Sequence, residues 1–290
     1  MSKLILMKGL PASGKSTKAQ ELIIKYGNTV RINKDLLRTM LHFDKFTGVN
    51  EGNTQKASRE IAKMFLSNQV NVIIDDTNLN PNTMQSWKDF AREMNAKIEY
   101  HDIDTPVEEC LARDSKREKQ VGYNVIKQMA MQFKGYMKGE KVIVCDIDGT
   151  IADITHRLQY GKGETKDWDK FFSLMGQDTL RTDIVDKVKS ILNNETRLIF
   201  VTARPDNYRD ETMKWLSANL INTGIWENFE ILLMRPSNDK RPDTEVKLDI
   251  YKKYLKDLDI QVVFDDRPSV IRMWRAEELK VFDCGSGDEF

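Results

Sequence analysis

Cysteine is scarce in this chain of 290 residues. Cys110, Cys145 and Cys284 stand far apart, without the spacing of a metal site or a disulfide framework, and read as reduced thiols of a cytosolic protein. No signal-like apolar segment follows Met1-Ser2-Lys3, which also points to the cytoplasm. Long apolar runs are missing too. None approaches the ~20 residues of a membrane helix, so no membrane partner is expected. The three histidines, His42, His101 and His156, have no pairing in sequence and carry no proposed role. Charge of one sign is not in excess, since 45 basic residues balance 45 acidic ones. That excludes a global basic field for general nucleic-acid binding while leaving room for local patches. What is present, 40% hydrophobic and 31% charged residues, suits a globular chain with two cores.

Strand and helix signals alternate along both halves, giving an expected α/β fold of two parallel-sheet domains, 1–138 and 141–290, joined by a short glycine-containing linker. The first domain opens on an apolar strand at 4–7. It leads into Gly9-Leu10-Pro11-Ala12-Ser13-Gly14-Lys15-Ser16-Thr17, the G-x-x-x-x-G-K-[ST] pattern of a phosphate-binding loop, or P-loop. The glycines let backbone amides turn toward an anion, and the start of the following helix adds partial positive charge. Lys15 then reaches β- and γ-phosphates, and Ser16 ligates Mg²⁺. An ordinary glycine turn is the structural alternative.

A second strand at 29–33 delivers Asp35 and Arg38 to the sheet's carboxyl end, where ligands collect. There a carboxylate can deprotonate an attacking hydroxyl and an arginine can hold the acceptor, as phosphoryl transfer requires. Alternatively Asp35 caps the next helix and Arg38 is a solvated charge. A helix at 54–68 and a strand at 70–74 lead to Asp75-Asp76-Thr77-Asn78, acids placed to orient Arg38 or help hold a metal, or a simple turn pair. Beyond a strand at 97–104 and a helix opened by Pro106, Arg113 and Arg117 are four apart and expected on one helix face. They form either a basic lid over a triphosphate or a solvated face. A helix at 123–137 closes the domain.

The second domain begins with an apolar strand at 142–145 that runs into Asp146-Ile147-Asp148-Gly149-Thr150. Two carboxylates two residues apart on extended chain point toward one site. One can attack phosphorus while the other protonates the leaving oxygen and then activates water. Next, a strand at 197–201 precedes Thr202-Ala203-Arg204, a hydroxyl and a guanidinium suited to phosphate oxygens. Lys247, expected to open a helix, can neutralise a transferring group, and a strand at 261–264 ends in Asp265-Asp266, acids suited to Mg²⁺.

The motifs Asp146-x-Asp148-Gly-Thr, Thr202, Lys247 and Asp265-Asp266 resemble the four motifs of the haloacid dehalogenase superfamily. The whole chain is similar to the polynucleotide kinase 3′-phosphatases of bacteriophages, with both halves in the same order. The resemblance implies a P-loop kinase domain followed by a Rossmann-like phosphatase domain. It implies that Lys15 and Ser16 bind ATP and Mg²⁺, that Asp35 activates a polynucleotide 5′-hydroxyl, that Arg38 and Asp76 organise the acceptor site, and that Arg117 is the lid arginine. In the second domain it implies Asp146 as nucleophile, Asp148 as general acid and base, and Arg204 as a substrate contact. Mg²⁺ would be held by Asp146, the Asp148 carbonyl and Asp266, with Asp265 close by. Thr202-Ala203 stands where the family carries serine and glycine.

The function implied is the healing of RNA or DNA ends, with 5′-hydroxyls phosphorylated and 3′-phosphates removed for a ligase, in the cytoplasm of an infected cell if the source is a phage. A homo-oligomer is implied by resemblance alone. The alternatives are a nucleoside or nucleotide kinase fused to a nucleotidase, and a nucleotide-regulated binding protein with inactive sites. The insert 157–176 holds Tyr160, Trp168, Phe171 and Phe172 among lysines and glycines. It reads as a cap whose aromatics either stack a terminal base or pack against one another.

Overall fold

In the computed structural model, which describes residues 1–162 and 165–285, the chain divides into two units, Met1–Tyr136 and Met137–Phe290. Gly163 and Glu164 of the insert, and residues 286–290 of the expected second domain, lie outside the described residues. Among the described residues no helix is long and apolar enough to cross a membrane.

The first unit is built on four parallel strands, β1 (Lys3–Lys8), β2 (Thr29–Ile32), β3 (Asn71–Ile74) and β4 (Lys97–Asp102), in the spatial order β2-β3-β1-β4. Side chains alternate across a strand. Leu4 and Leu6 of β1 therefore join Leu66, Trp87 and Phe90 on one face, while Ile5 and Met7 join Ala19 and Leu22 on the other. With helices on both faces, all four residues are buried, and each contributes about 1.5–3 kcal/mol. Asp in place of Ile5 would put an unpaired charge there and break the sheet's centre.

The helices are α1 (Lys15–Tyr26), α2 (Lys34–His42), α3 (Gly48–Ser67), α4 (Pro81–Glu93), α5 (Val107–Asp114) and α6 (Tyr123–Lys134). Three extents differ from the sequence expectation. The Thr47 side chain accepts from Asn50 N and starts α3 at Gly48, ahead of the apolar periodicity that begins near 54. Gly135, left-handed at φ 66°, ends α6 at Lys134. α5 stops at Asp114, so Arg117 lies beyond the helix and shares no helix face with Arg113.

The second unit has a five-stranded parallel sheet of β5 (Lys141–Cys145), β8 (Arg197–Pro205), β9 (Phe229–Arg235), β10 (Asp259–Asp265) and β11 (Val281–Asp283), ordered β11-β10-β5-β8-β9. β5 is central, and the chain leaves it toward both neighbours, so a crevice opens at its carboxyl end. A cap rises between β6 (Ala152–Asp153) and β7 (Thr179–Leu180), which pair antiparallel. It carries the short helices α7 (Leu158–Gly161) and α8 (Trp168–Ser173). The helices α9 (Thr182–Ile191), α10 (Arg209–Leu220), α11 (Asp243–Ile250) and α12 (Pro268–Ala276) cover the sheet. Two details depart from expectation. β8 continues through Thr202 and Arg204 to Pro205, and α11 begins at Asp243, so Lys247 sits inside the helix rather than at its opening.

Candidate active site

Each unit gathers charged side chains at the carboxyl end of its central strand. In the first unit, the loop after β1 makes a tight turn. Gly14 takes φ 99°, and a Cβ at Gly9 would lie 2.7 Å from the Ile103 carbonyl, so the loop has room only for glycine at that point. The Ser13 carbonyl accepts hydrogen bonds from Thr105 Oγ1 at 2.8 Å and from Arg113 Nη1 at 3.2 Å. Lys15 Nζ donates to the Leu10 carbonyl at 2.6 Å. Burial lowers the Lys15 pKa, against the pull of Asp75 and Asp76, so an arriving anion would strengthen its charge. Thr17 follows on α1 and is exposed.

Ser16 Oγ donates to Asp75 Oδ2 at 2.7 Å, and Arg31 Nε donates to the same oxygen at 2.7 Å. The other Asp75 oxygen is buried without a hydrogen-bond partner. A hydroxyl beside an acid with an orphaned oxygen suits a hard divalent cation. Asp76 turns elsewhere. Its Oδ1 accepts from Lys34 N at 3.0 Å, Lys34 Nζ lies 3.6 Å from Oδ2, and burial raises its pKa. The acid at Ser16 is thus Asp75, which the sequence reading left beside Asp76 without a separate role.

Asn33, whose side chain accepts from Leu36 N, caps α2, so the capping alternative for Asp35 falls away. Asp35 is exposed and accepts from Arg38 Nη1 at 2.7 Å, while Glu51 on α3 receives Nη2 at 3.0 Å and also Nε. Neither Asp75 nor Asp76 orients Arg38; Glu51 does, from a segment that sequence periodicity had left outside the helix. Arg113 pairs with Glu109 as well as with the loop, and Arg117 Nη1 lies 3.5 Å from Asp114 Oδ1. Asp114 also accepts from Val121 N and Gly122 N, which ties the segment after α5 back onto the helix.

The second unit's site is more deeply buried and more densely charged. Asp146 leaves β5 with its backbone amide donating to Phe264 at 2.9 Å, and its Oδ1 lies 3.1 Å from Lys247 Nζ, an ion pair without a hydrogen bond. Gly149 at φ 78° leaves space in which a Cβ would overlap the Asp266 carboxylate. Asp146, Asp265 and Asp266 offer oxygens within 4.8 Å of one another. Burial, reinforced by the neighbouring acids, pushes Asp146 well above the usual carboxylate range and Asp266 up to about 6. Such crowding of hard oxygens fits a divalent cation, which would restore both charges. Asp265 is the least available of the three. Its Oδ2 accepts from Lys247 Nζ at 2.7 Å and Trp274 Nε1 at 3.1 Å, and Oδ1 accepts from Arg267 N at 3.2 Å.

Asp148 lies opposite. Arg204 Nε donates to it at 2.9 Å, and Arg157 Nη2 at 2.5 Å. Burial works to raise its pKa, but the two guanidinium groups outweigh that and hold the carboxyl well below the usual range. Both arginines are fully buried and share a second acid, Asp178, whose Oδ2 lies at 2.5 and 3.0 Å from them, with His156 Nε2 at 2.9 Å from its Oδ1. Thr202 is buried, its Oγ1 accepting from Arg204 N at 3.2 Å. Sequence reading missed Arg157 and Asp178. Both lie in the cap, Asp178 just before β7, with no motif around them, and only the fold brings them together with Arg204 around Asp148. A cavity of about 870 Å³ opens above these groups.

The three thiols are buried and unpaired, and burial pushes Cys284 up to about 12, so they stay protonated and unreactive.

Comparison with known proteins follows the same division. The AAA domain family matches residues 4–136, and the polynucleotide kinase PNKP phosphatase domain family matches residues 140–289. A putative bifunctional polynucleotide kinase/RNA ligase of Autographa californica nuclear polyhedrosis virus is 29% identical over 312 residues, covering 96% of this chain and 41% of that protein. An L-seryl-tRNA(Sec) kinase of Methanococcus maripaludis is 25% identical over 163 residues, covering 55% of this chain and 62% of that one. The chain therefore spans less than two thirds of the length of either relative. A solved Pnkp1/Rnl/Hen1 complex contains a chain 27% identical over 99% of this one and 97% of its own length, with a TM-score of 0.43. The phosphatase-domain match covers more than half of the sequence, its 140–289 span holding the whole Asp146, Asp148, Arg204, Lys247 and Asp266 cluster, and the chain belongs to the family of the polynucleotide kinase PNKP phosphatase domain.

Proposed function

We propose that this chain heals nucleic-acid ends, transferring phosphate from ATP to a 5′-hydroxyl in residues 1–138 and hydrolysing a 3′-phosphate in residues 141–290. The observation that carries the reading is the juxtaposition of Asp146, beside a cationic Lys247, with Asp148, between two arginines, on the floor of one cavity.

In the phosphatase, an Asp146 oxygen attacks phosphorus and the bond to the leaving 3′-oxygen breaks. Lys247, kept cationic by Asp146 and Asp265 despite its burial, neutralises charge on the phosphoryl group. Asp148 gives its proton to the leaving oxygen, then takes one from the water that attacks the aspartyl-phosphate and frees Asp146. The same arginines that hold Asp148 ionised suggest how it gains that proton. A phosphate arriving at Arg204 draws the guanidinium from Asp148, and the carboxyl's proton affinity rises as an acid is needed. Thr202 is placed to donate to a phosphoryl oxygen. Mg²⁺ is the proposed metal, held by Asp146, the Asp148 carbonyl and Asp266, with Asp265 behind, and in the kinase by Ser16. When bound it supplies charge neutralisation at the phosphoryl oxygens.

In the kinase, backbone amides from Gly9 to Thr17 and Lys15 cradle the triphosphate, and Arg113 and Arg117 close over it. Asp35 accepts the proton of the attacking hydroxyl, and Arg38, held by Asp35 and Glu51, positions the acceptor. Asp76 shapes the acceptor side through Lys34. The product, a 5′-phosphate with a 3′-hydroxyl, is what an RNA ligase joins. A ligase partner is proposed on that chemistry and on the printed name of the viral relative, as is a viral source acting in the host cytoplasm.

The test is to incubate the protein with ATP, Mg²⁺ and an oligonucleotide bearing a 5′-hydroxyl and a 3′-phosphate, and to read both ends by mass spectrometry. Conversion of both ends is the expected result. Turnover of nucleosides and 3′-mononucleotides but not oligonucleotides would favour a salvage enzyme, and nucleic-acid binding without turnover would favour a binding protein. RNA and DNA oligonucleotides run side by side decide the preference.

A further inference from the structure

The cavity of the second unit has walls that phosphate chemistry leaves unused. One is aromatic. The rings of Trp168 and Phe172 on α8 lie 6.1 Å apart at an interplanar angle of 24°, and Phe172 lies 5.2 Å from Tyr208 at 32°. The three form a column, and all three line the cavity. Buried Phe171 fixes it from behind, edge-on to Trp168 at 5.5 Å and to Phe172 at 5.3 Å. Phe171 in turn carries the Arg157 guanidinium 4.2 Å from its ring centre, so the column is tied to the residues that hold Asp148. Gly161 permits this close packing, since a Cβ there would lie 3.3 Å from the Phe171 ring.

If these rings served the cap's own packing alone, the largest would be covered. Trp168 instead keeps 43% of its surface exposed.

The rim is basic. Lys166 Nζ stands 5.3 Å from the Trp168 ring centre, and Lys240, on the loop between β9 and α11, lines the same cavity. Neither lysine has a carboxylate partner among the described residues, whereas Arg241 beside them is tied to Asp239 and Asp249. A lone phosphate needs neither the aromatic column nor these cations, and about 870 Å³ is room for a nucleotide rather than for a phosphate alone.

We propose that this wall is a nucleobase subsite. Trp168, Phe172 and Tyr208 stack the terminal base of a single-stranded polynucleotide whose phosphate lies at Asp146, and Lys166 and Lys240 meet the preceding backbone phosphates. Stacking tolerates every base because each has a π face, and cations beside aromatic rings track the charged backbone. The subsite rests on the phosphatase reading and adds to it a preference for polymer ends over small phosphomonoesters.

The experiment compares kcat/KM of the full chain on a 3′-phosphorylated oligonucleotide, on the same oligonucleotide with an abasic terminal residue, and on glycerol 3-phosphate. Wild type is expected to lose about tenfold on the abasic end. Trp168→Ala is expected to lower the oligonucleotide-to-glycerol-phosphate ratio by a similar factor and to lose its discrimination against the abasic end, with Trp168→Phe restoring most of both. An unchanged ratio, or wild type blind to the abasic residue, would overturn the subsite while leaving a working phosphatase. No hydrolysis of any substrate by wild type would instead sink the phosphatase reading itself. The lysines give a readout that does not depend on the cap tolerating Trp168→Ala. Replacing Lys166 and Lys240 by Glu should flatten the dependence of log(kcat/KM) on log salt for the oligonucleotide, and an unaltered slope removes them from the subsite.

Discussion

In the first unit the proposed anion site is built chiefly from backbone. Glycine geometry at Gly9 and Gly14 turns the chain, a single lysine adds charge, and the ion pairs nearby, Arg31 with Asp75, Lys34 with Asp76 and Arg38 with Asp35, each keep one partner partly open to water. In the second unit the proposed anion site is built from side chains. Asp146, Asp148, Asp178, Asp265 and Asp266 interleave with Arg157, Arg204 and Lys247, nearly all of them buried. The difference follows from the chemistry each arrangement suits. A kinase that holds a ready-made phosphate donor needs positioning, which amides provide at little desolvation cost. A covalent phosphatase needs a carboxylate that attacks phosphorus, and a buried carboxylate persists only where cations compensate it.

The contrast can be broken most severely at the nucleophile. Asp146→Asn is expected to lower 3′-phosphate release on the order of 10⁴-fold or more while sparing 5′ phosphorylation, measured on one doubly labelled oligonucleotide. Loss of both activities in a folded protein would end the picture of two independent sites. Lys15→Ala is the reciprocal variant, with 5′ phosphorylation expected to fall on the order of 10³-fold and phosphatase rates unaltered.

The buried lattice then sets the third effect. Asp178→Asn leaves Arg157 and Arg204 with Asp148 alone and takes from His156 its carboxylate partner. It is expected to cost about 3–5 kcal/mol in urea unfolding followed by a probe in the second unit, because a buried charge loses its partner. A change below about 1 kcal/mol would place the lattice among the weak exposed pairs.

Glu99 is the less buried counterpart and should have the smallest effect. Partial burial favours its neutral form, but hydrogen bonds from Tyr26, His101 and Lys3 overcome this and lower its pKa from 4.5 to about 2. The folded value is the depressed one, so the contribution is present above about 4.5 and is lost as pH falls toward 2. With solvent screening, Glu99→Gln should cost about 1 kcal/mol at neutral pH. The gap to wild type in urea midpoint should close between pH 4.5 and pH 2. A gap that persists at the acid end would mean packing, not charge, holds Glu99.

Legibility differed between the sites for the same reason. Contiguity made the tight glycine turn from Gly9 to Thr17 readable, since one loop supplies nearly all of that candidate phosphate site. Asp146 and Asp148 were readable because an apolar strand delivers two acids to one point. Arg157, Asp178, Asp75 and Glu51 were not. An isolated arginine in a cap looks like any solvated charge, and an acid ahead of a helix's apolar stripe gives no periodic signal. Asp75 had one available clue, being the first acid after the apolar run 72–74 and so the natural neighbour of Ser16 on the adjoining strand.

By itself the sequence determined two α/β units, each with an apolar strand ending in a candidate phosphate site, because strand period, glycine geometry and carboxylate spacing are local properties. Tertiary structure alone decided which acid meets Ser16, which residues compensate Asp148, and that Trp168, Phe172 and Tyr208 share one wall. Those are pairings between residues distant in sequence, and they form only when the sheet sets its strands side by side and the cap folds across them.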